Sequence, residues 1–165
     1  MTRRALLVGI NTYDHIQPLL TWCVDDALAM REVVSFHANY DPNFATRVLL
    51  GSSAAESATP RVTFTALREA VTELFAFEGM ALFYYSGHGI VMDGCTYLAT
   101  QDGSSSLPGL SLNDLLVMAN EAQARDVLII LDACYSGGMA AAESHGDMPG
   151  RSVRPGVTVL AAARS

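Results

Sequence analysis

The chain alternates between short, continuous apolar runs and segments in which apolar residues recur every three or four positions. The first pattern is typical of buried strands and the second of helices with one buried face. The predicted strands are 5–10, 46–50, 80–85, 127–131 and 157–162, with 95–99 as a hairpin arm. The predicted helices begin near residues 25, 63 and 110, the second with Thr63 as its N-cap. Strands that alternate with helices predict an α/β fold around a mostly parallel sheet.

Two glycine-containing motifs directly follow the third and fourth predicted strands. They are Ser86-Gly87-His88-Gly89 and Asp132-Ala133-Cys134-Tyr135-Ser136-Gly137. Reactive groups gather at the carboxyl ends of the strands in an open α/β sheet. The sequence therefore predicts that His88 and Cys134 meet there, each on a turn bounded by glycine.

A cysteine beside a histidine has a definite chemistry. A thiol attacks as its thiolate, so a catalytic Cys134 needs a partner such as His88 that takes its proton and later protonates the leaving amine. The neighbouring glycines allow main-chain N–H groups to approach a developing oxyanion, and those of Gly89 and Cys134 are the predicted donors. An inert core histidine and a buried cysteine are the alternative for either residue alone. Their joint position at two strand ends favours catalysis.

Composition narrows the possible classes of protein. With 165 residues, half of them apolar, the chain fits one folded domain. The net charge of 10 − 17 = −7 argues against a nucleic-acid partner or an anionic membrane. No run has the length of a transmembrane helix or the form of a signal peptide, so we expect a cytoplasmic protein. The three cysteines suit neither a disulfide framework nor zinc, and no histidine has ligand spacing, so no metal is expected.

The two motifs resemble those of caspase-like cysteine peptidases, in particular metacaspases and their bacterial caspase-like relatives. The segments Ala5-Leu6-Leu7-Val8-Gly9-Ile10-Asn11 and Trp22-Cys23-Val24-Asp25-Asp26-Ala27 are similar to that family as well. The spacing of 134 − 88 = 46 residues is close to the roughly 50 that separate histidine and cysteine in caspases. The resemblance implies a caspase-like three-layer α/β/α sandwich in which His88 and Cys134 form the catalytic dyad.

The resemblance also implies a pocket for the substrate residue before the cleaved bond, the S1 pocket. By their place in the metacaspase motifs, its lining residues are Cys23, Asp26, Ser86 and Asp132. Two carboxylates in a partly enclosed pocket favour a cation, and both Arg and Lys supply one. We therefore expect cleavage after Arg or Lys. Asp25 is expected only to favour the start of the first helix.

We expect residues 1–165 to form a single caspase-like peptidase domain that is truncated at its C-terminus, with the small-subunit-like part missing after about 157–165. The resemblance then implies partners beyond a protein or peptide substrate, namely that remaining segment or fused sensor modules of a regulated bacterial protein for death or defence. The loop 137–155 contains Arg151 and Arg154 and lies where caspase-like zymogens are often cleaved, so it is a candidate processing site.

Calcium activates many metacaspases through acidic residues on loops. The loop acids of this chain are Asp93, Asp102 and Asp147, and they form no dense cluster. We therefore expect no cofactor and no calcium site.

Two other functions stay open. The first is a catalytically inactive, caspase-like interaction module, which the intact pair of His88 and Cys134 disfavours. The second is a redox-sensing thiol at Cys134, which needs a resolving cysteine nearby. By sequence alone, neither Cys23 nor Cys95 is placed for that role.

Overall fold

The computed structural model describes residues 2–52, 60–135 and 153–162, without the side chains of Cys134 and Tyr135. All the strands and helices that the sequence predicts are present, and the short strand β5 is an addition. In chain order the elements are β1 (Arg3–Ile10), α1 (Cys23–Ser35), β2 (Ala45–Gly51), α2 (Phe64–Phe75), β3 (Met80–Met92), β4 (Cys95–Ala99), β5 (Gly109–Ser111), α3 (Leu112–Asn120), β6 (Asp126–Tyr135) and β7 (Val157–Ala162).

The strands form one seven-stranded sheet. Its main body has the order β2, β1, β3, β6, β7, and every pair of neighbours in it is parallel. Strands β4 and β5 extend the sheet beyond the end of β1, and both of their pairings are antiparallel. The mostly parallel sheet predicted from the alternation of strands and helices is confirmed.

Helices cover both faces of the sheet. Along β1, Leu6 and Val8 belong to the larger core cluster, which also contains the buried residues of α2 and α3. Ala5 and Leu7 point to the opposite face and join a smaller cluster with Ala27 of α1. Because both faces are buried, the strands read as continuous apolar runs. The result is the three-layer α/β/α sandwich expected for this chain.

One prediction about the two motifs was wrong. The sequence suggests turns at His88 and Cys134, whereas both residues lie inside strands, β3 and β6. The two strands pair without interruption from Met80↔Asp126 to Gly89↔Tyr135. Gly87 and Gly89 of the first motif both lie in this ladder, and neither has a positive φ, so they do not turn the chain.

Side chains that begin helices explain several polar positions. The hydroxyl of Thr63 accepts a hydrogen bond from the N–H of Ala66, as predicted for the N-cap of α2. Ser111 does the same for the N–H of Asp114 at the start of α3. Among the residues that the structure describes, no helix is long and apolar enough to cross a membrane.

Two of the loop acids considered for calcium have structural roles. Asp93 and Gly94 both adopt positive φ, 52° and 75°, in the tight turn between β3 and β4. Asp102 accepts hydrogen bonds from the N–H of Phe64 and the hydroxyl of Thr100 through the same oxygen. Asp147 lies outside the described residues, and within those residues no group of three or more potential ligands could hold a metal ion.

Candidate active site

The backbones of His88 and Cys134 lie side by side near the carboxyl end of the sheet. They are Cα partners in the parallel ladder between β3 and β6. Neighbouring strands lie about 4.8 Å apart, so a separation of 46 residues in sequence becomes one strand spacing. The Cys134 side chain is outside the described part of the chain, and the register is the observation that joins the two positions.

The His88 imidazole is buried, with only 2% of the residue exposed. Its Nε2 atom lies 2.7 Å from the carbonyl oxygen of Pro18. Because a carbonyl oxygen can only accept, Nε2 carries the hydrogen, and Nδ1 is the basic atom of the neutral ring. The Tyr13 ring lies against the imidazole, with 5.1 Å between the ring centroids. Both contacts fix the orientation of the ring.

The loop that supplies Tyr13 and Pro18 is held by one buried glutamine. The side-chain amide of Gln101 donates to the hydroxyl of Thr12, and its carbonyl oxygen accepts from the N–H of Val62. The backbone carbonyl of Gln101 also accepts from the N–H of Asp14. Buried polar groups with several partners rigidify their surroundings. The hydrogen bonds of Gln101 therefore hold this loop in place beside His88.

The four residues predicted for the S1 pocket lie near the register pair of His88 and Cys134. Ser86 is buried, and its hydroxyl donates to Oδ2 of Asp26 at 3.1 Å. Ser86 is also the register partner of Asp132, two positions before the pairing of His88 with Cys134. Cys23, the first residue of α1, is buried on the same helix as Asp26.

Tyr84 lies close to the carboxylates of Asp26 and Asp132, which together form the acidic cluster of this site. Burial, followed by the charges of Asp132 and then Asp26, raises the pKa of Tyr84 to about 12. Tyr84 therefore stays a neutral phenol at physiological pH. Its hydroxyl lies beside the side chain of Ser86. Asp25, by contrast, is exposed in the first turn of α1, in agreement with a role at the start of that helix.

A glycine in β1 brings α1 to this end of the sheet. A Cβ atom at Gly9 would lie 2.1 Å from the carbonyl oxygen of Cys23 and 2.9 Å from Cβ of Ala27. Real Cβ atoms do not approach backbone oxygens this closely, so any side chain here displaces the helix. Gly9 therefore sets how near Cys23 and Asp26 come to the strands.

The two N–H groups predicted to bind the oxyanion belong to neighbouring strands. Gly89 pairs with Tyr135 of β6 on one side and with Leu98 of β4 on the other. Cys134 is one position before Tyr135 in the same ladder. The two backbone N–H groups thus belong to adjacent register positions, and their role as an oxyanion hole stays a prediction.

Only the end of the predicted processing loop is described. Arg154 precedes β7, and its guanidinium donates to the carbonyl oxygens of Ala122, Ala124 and Arg125. These contacts lie at the amino ends of β6 and β7, whereas Cys134 lies toward the carboxyl end of β6. Arg151 lies outside the described residues, so the processing site stays a prediction.

Sequence reasoning missed the residues that surround His88 and the acidic cluster, namely Tyr13, Pro18 and Tyr84. Tyr84 stands inside a strand that reads simply as apolar core. Tyr13 and Pro18 stand on a loop that begins at the carboxyl end of β1. The only available signal was that position, since loops at this edge of a parallel sheet commonly carry functional residues.

A parallel α/β sandwich with histidine and cysteine on paired positions of neighbouring strands defines a class of cysteine peptidases. The chain belongs to the caspase-domain family, whose model matches residues 2–162. It is therefore a cysteine-type peptidase, a hydrolase that acts on protein substrates. A comparison with curated proteins gave no match.

Proposed function

We propose that this chain is an endopeptidase that cleaves proteins after Arg or Lys, with Cys134 as nucleophile and His88 as general base and acid. The register of β3 against β6 carries the proposal, because it pairs His88 with Cys134. Two residues earlier the same ladder pairs Ser86 with Asp132 of the acidic cluster. The proposed reacting groups and the proposed pocket thus occupy adjacent positions.

The proposed reaction has two stages. In the first, Nδ1 of His88 takes the proton of the Cys134 thiol, and the thiolate attacks the scissile carbonyl carbon. The N–H groups of Gly89 and Cys134 stabilise the tetrahedral oxyanion. The His88 imidazolium then protonates the leaving amine, and the peptide bond breaks to give a thioester. The hydrogen bond from Nε2 to the Pro18 carbonyl oxygen supports this role, since it orients the ring and leaves Nδ1 to accept the thiol proton.

In the second stage, water hydrolyses the thioester. His88 takes a proton from the water as its oxygen attacks the thioester carbonyl. Collapse of the second tetrahedral intermediate releases the carboxylic acid, and the proton returns to the Cys134 sulfur. The enzyme is thereby restored, and no metal or cofactor takes part in either stage.

The charges near Ser86 support a preference for basic residues. The three ion pairs between described residues are Arg47–Glu73, Arg61–Asp14 and Arg125–Asp126. None of them uses Asp26 or Asp132, and both of these residues are only partly buried. Two half-buried carboxylates near each other are best compensated by an entering cation, and guanidinium matches a carboxylate with two parallel hydrogen bonds.

Neutralising either acid of the proposed pocket is expected to weaken the use of basic substrates. Asp132→Asn and Asp26→Asn should each lower kcat/KM for an Arg peptide about 10- to 100-fold, mainly through KM, since a charged hydrogen bond contributes about 1.5–3 kcal/mol. Steady-state kinetics with fluorogenic Arg, Lys and Asp peptides measure this effect. The matched controls are Asp126→Asn at the other end of β6 and Asp25→Asn beside Asp26, both expected to be neutral.

The outcomes separate three possibilities. Equal or better cleavage of the Asp peptide by the unaltered protein contradicts the acidic pocket but not the peptidase. Retained cleavage in Cys134→Ala contradicts the assigned nucleophile. If no peptide is cut and a thiol-directed electrophilic peptide fails to label Cys134, the inactive interaction module becomes the better interpretation.

We further propose that the peptidase is the effector part of a larger, regulated bacterial protein of the cytoplasm, as its resemblance to bacterial caspase-like proteins implies. Among the described residues, β7 pairs with β6 only, and Leu160 of β7 is 53% exposed. An additional segment packed on this edge would cover that residue. A cleavage assay of the peptidase with and without its neighbouring segments, supplied on a longer chain, tests this arrangement.

A further inference from the structure

The edge of β3 that faces β1 has a break in its pairing at the catalytic histidine. Strand β1 pairs with β3 as far as Gly9↔Ser86. Strand β4 takes over on the same edge at Gly89↔Leu98, while β6 continues along the opposite edge. Neither of these two strands, as far as the chain is described, reaches Gly87 or His88 on this edge. A buried main-chain N–H or C=O group needs another hydrogen-bond partner.

Two tyrosine hydroxyls occupy this break. The hydroxyl oxygen of Tyr13 accepts the backbone N–H of His88 at 2.9 Å, and the hydroxyl donates to the carbonyl oxygen of Ile10 at 3.1 Å. The hydroxyl of Tyr85 lies 3.0 Å from the carbonyl oxygen of His88 and 2.7 Å from that of Ala99. Side chains thus replace the missing strand on both polar groups of the His88 backbone.

Gly87 provides the space for this hydroxyl pair. A Cβ atom at that position would lie 2.6 Å from the hydroxyl oxygen of Tyr85 and 2.8 Å from that of Tyr13. Burial raises the pKa of both tyrosines well above the usual range. Both side chains are therefore neutral phenols, which can donate and accept at the same time.

We propose that Tyr13 is a positioning residue for the general base. Its hydroxyl binds the backbone N–H of His88, and its ring lies against the imidazole. The hydroxyl of Tyr85 binds the carbonyl group of His88. We call these contacts of the two tyrosines the clamp on His88. The inference rests on the proposed function, because it assigns a role to the histidine of the dyad. Fixing a catalytic group in its reactive geometry lowers the barrier by avoiding reorganisation during the reaction.

The Tyr13→Phe variant tests the inference, since it retains the ring and removes only the hydroxyl. We expect kcat for an Arg peptide to fall about 10- to 100-fold with KM within about twofold, the pattern of lost geometry rather than lost binding. The amide hydrogen of His88 should also exchange with solvent faster than in the unaltered protein. Tyr40→Phe is the matched control, because Tyr40 is 86% exposed, and it should change neither quantity.

The exchange rate separates this inference from the proposed chemistry. Measured in a Cys134→Ala background, faster exchange of the His88 amide in Tyr13→Phe supports the clamp independently of catalysis. Unchanged exchange and unchanged kcat in Tyr13→Phe overturn it, even if Cys134→Ala is inactive as proposed. Should Tyr13→Phe not fold, Tyr85→Phe is measured instead. It is expected to lower kcat at constant KM, and an unaltered kcat there counts against the clamp.

Discussion

Replacing His88 by alanine is expected to lower kcat for an Arg peptide by at least about 10³-fold, because positioned general acid–base catalysis contributes about 10²–10⁴-fold and the thiolate is lost as well. KM should change little, since the acidic cluster keeps its residues. The effects on kcat of residues that act as one unit do not add. The double variant of His88→Ala and Cys134→Ala should therefore be no slower than either single variant. Steady-state and single-turnover assays of the three variants measure these differences.

His37→Ala is the matched control for this experiment. His37 is exposed and follows α1, so its removal should leave kcat unchanged. Circular dichroism and thermal unfolding of His88→Ala must show a folded protein, because His88 is buried. A folded His88→Ala variant within tenfold of the unaltered kcat would remove the histidine from the proposed mechanism.

The pairing of His88 with Cys134 was accessible from sequence because it depends on few assumptions. Each residue follows an apolar run, and parallel strands place their carboxyl ends at one edge of the sheet. What the sequence did not reveal is that both strands continue through the motifs. Gly87 suggested a turn, whereas its absent side chain makes room for two hydroxyl groups.

The clamp on His88 could not be predicted for a different reason. It depends on where β1 ends and where β4 begins along the same edge of β3, and element boundaries are the least certain part of a sequence prediction. Tyr13 lies 75 residues from its partner in sequence, on a loop without a regular pattern. Only the assembled sheet shows that its hydroxyl takes the place of a strand.

The fold itself was largely accessible, with a revealing omission. The strand β5, Gly109–Ser111, was missed because it runs directly into α3, so that Gly109 was assigned to the preceding loop and the next two residues to the helix. The hairpin at Asp93 and Gly94 was predicted correctly, since both positions need positive φ and that residue pair tolerates it. The prediction that Cys23 and Asp26 of α1 line the pocket came from the family resemblance. The structure adds a physical reason for their position, because Gly9 lets α1 approach the strands closely.

Replacing Gly9 by alanine is expected to be among the most destabilising single-methyl changes in this chain. The added Cβ would lie 2.1 Å from a backbone oxygen, that of Cys23, and backbone cannot rotate away as a side chain can. We expect the free energy of unfolding to fall by about 3 kcal/mol, at the upper end of the range for overpacking. For a chain of this size that lowers Tm by about 6–12 °C. Thermal and denaturant unfolding measure both quantities.

The same substitution should also impair the proposed S1 pocket, because the displaced turn of α1 contains Cys23 and Asp26. In the folded fraction at low temperature, KM for an Arg peptide should rise, while Cys134 should still react with a small thiol reagent. Gly94→Ala is the control: a Cβ there meets nothing within 4 Å, so only its φ of +75° costs stability, about 1 kcal/mol. If the Gly9→Ala protein is as stable as Gly94→Ala and its KM is unchanged, α1 must lie farther from β1 than the 2.1 Å between the added Cβ and the Cys23 oxygen implies. Its acids would then have to reach a substrate cation by another arrangement.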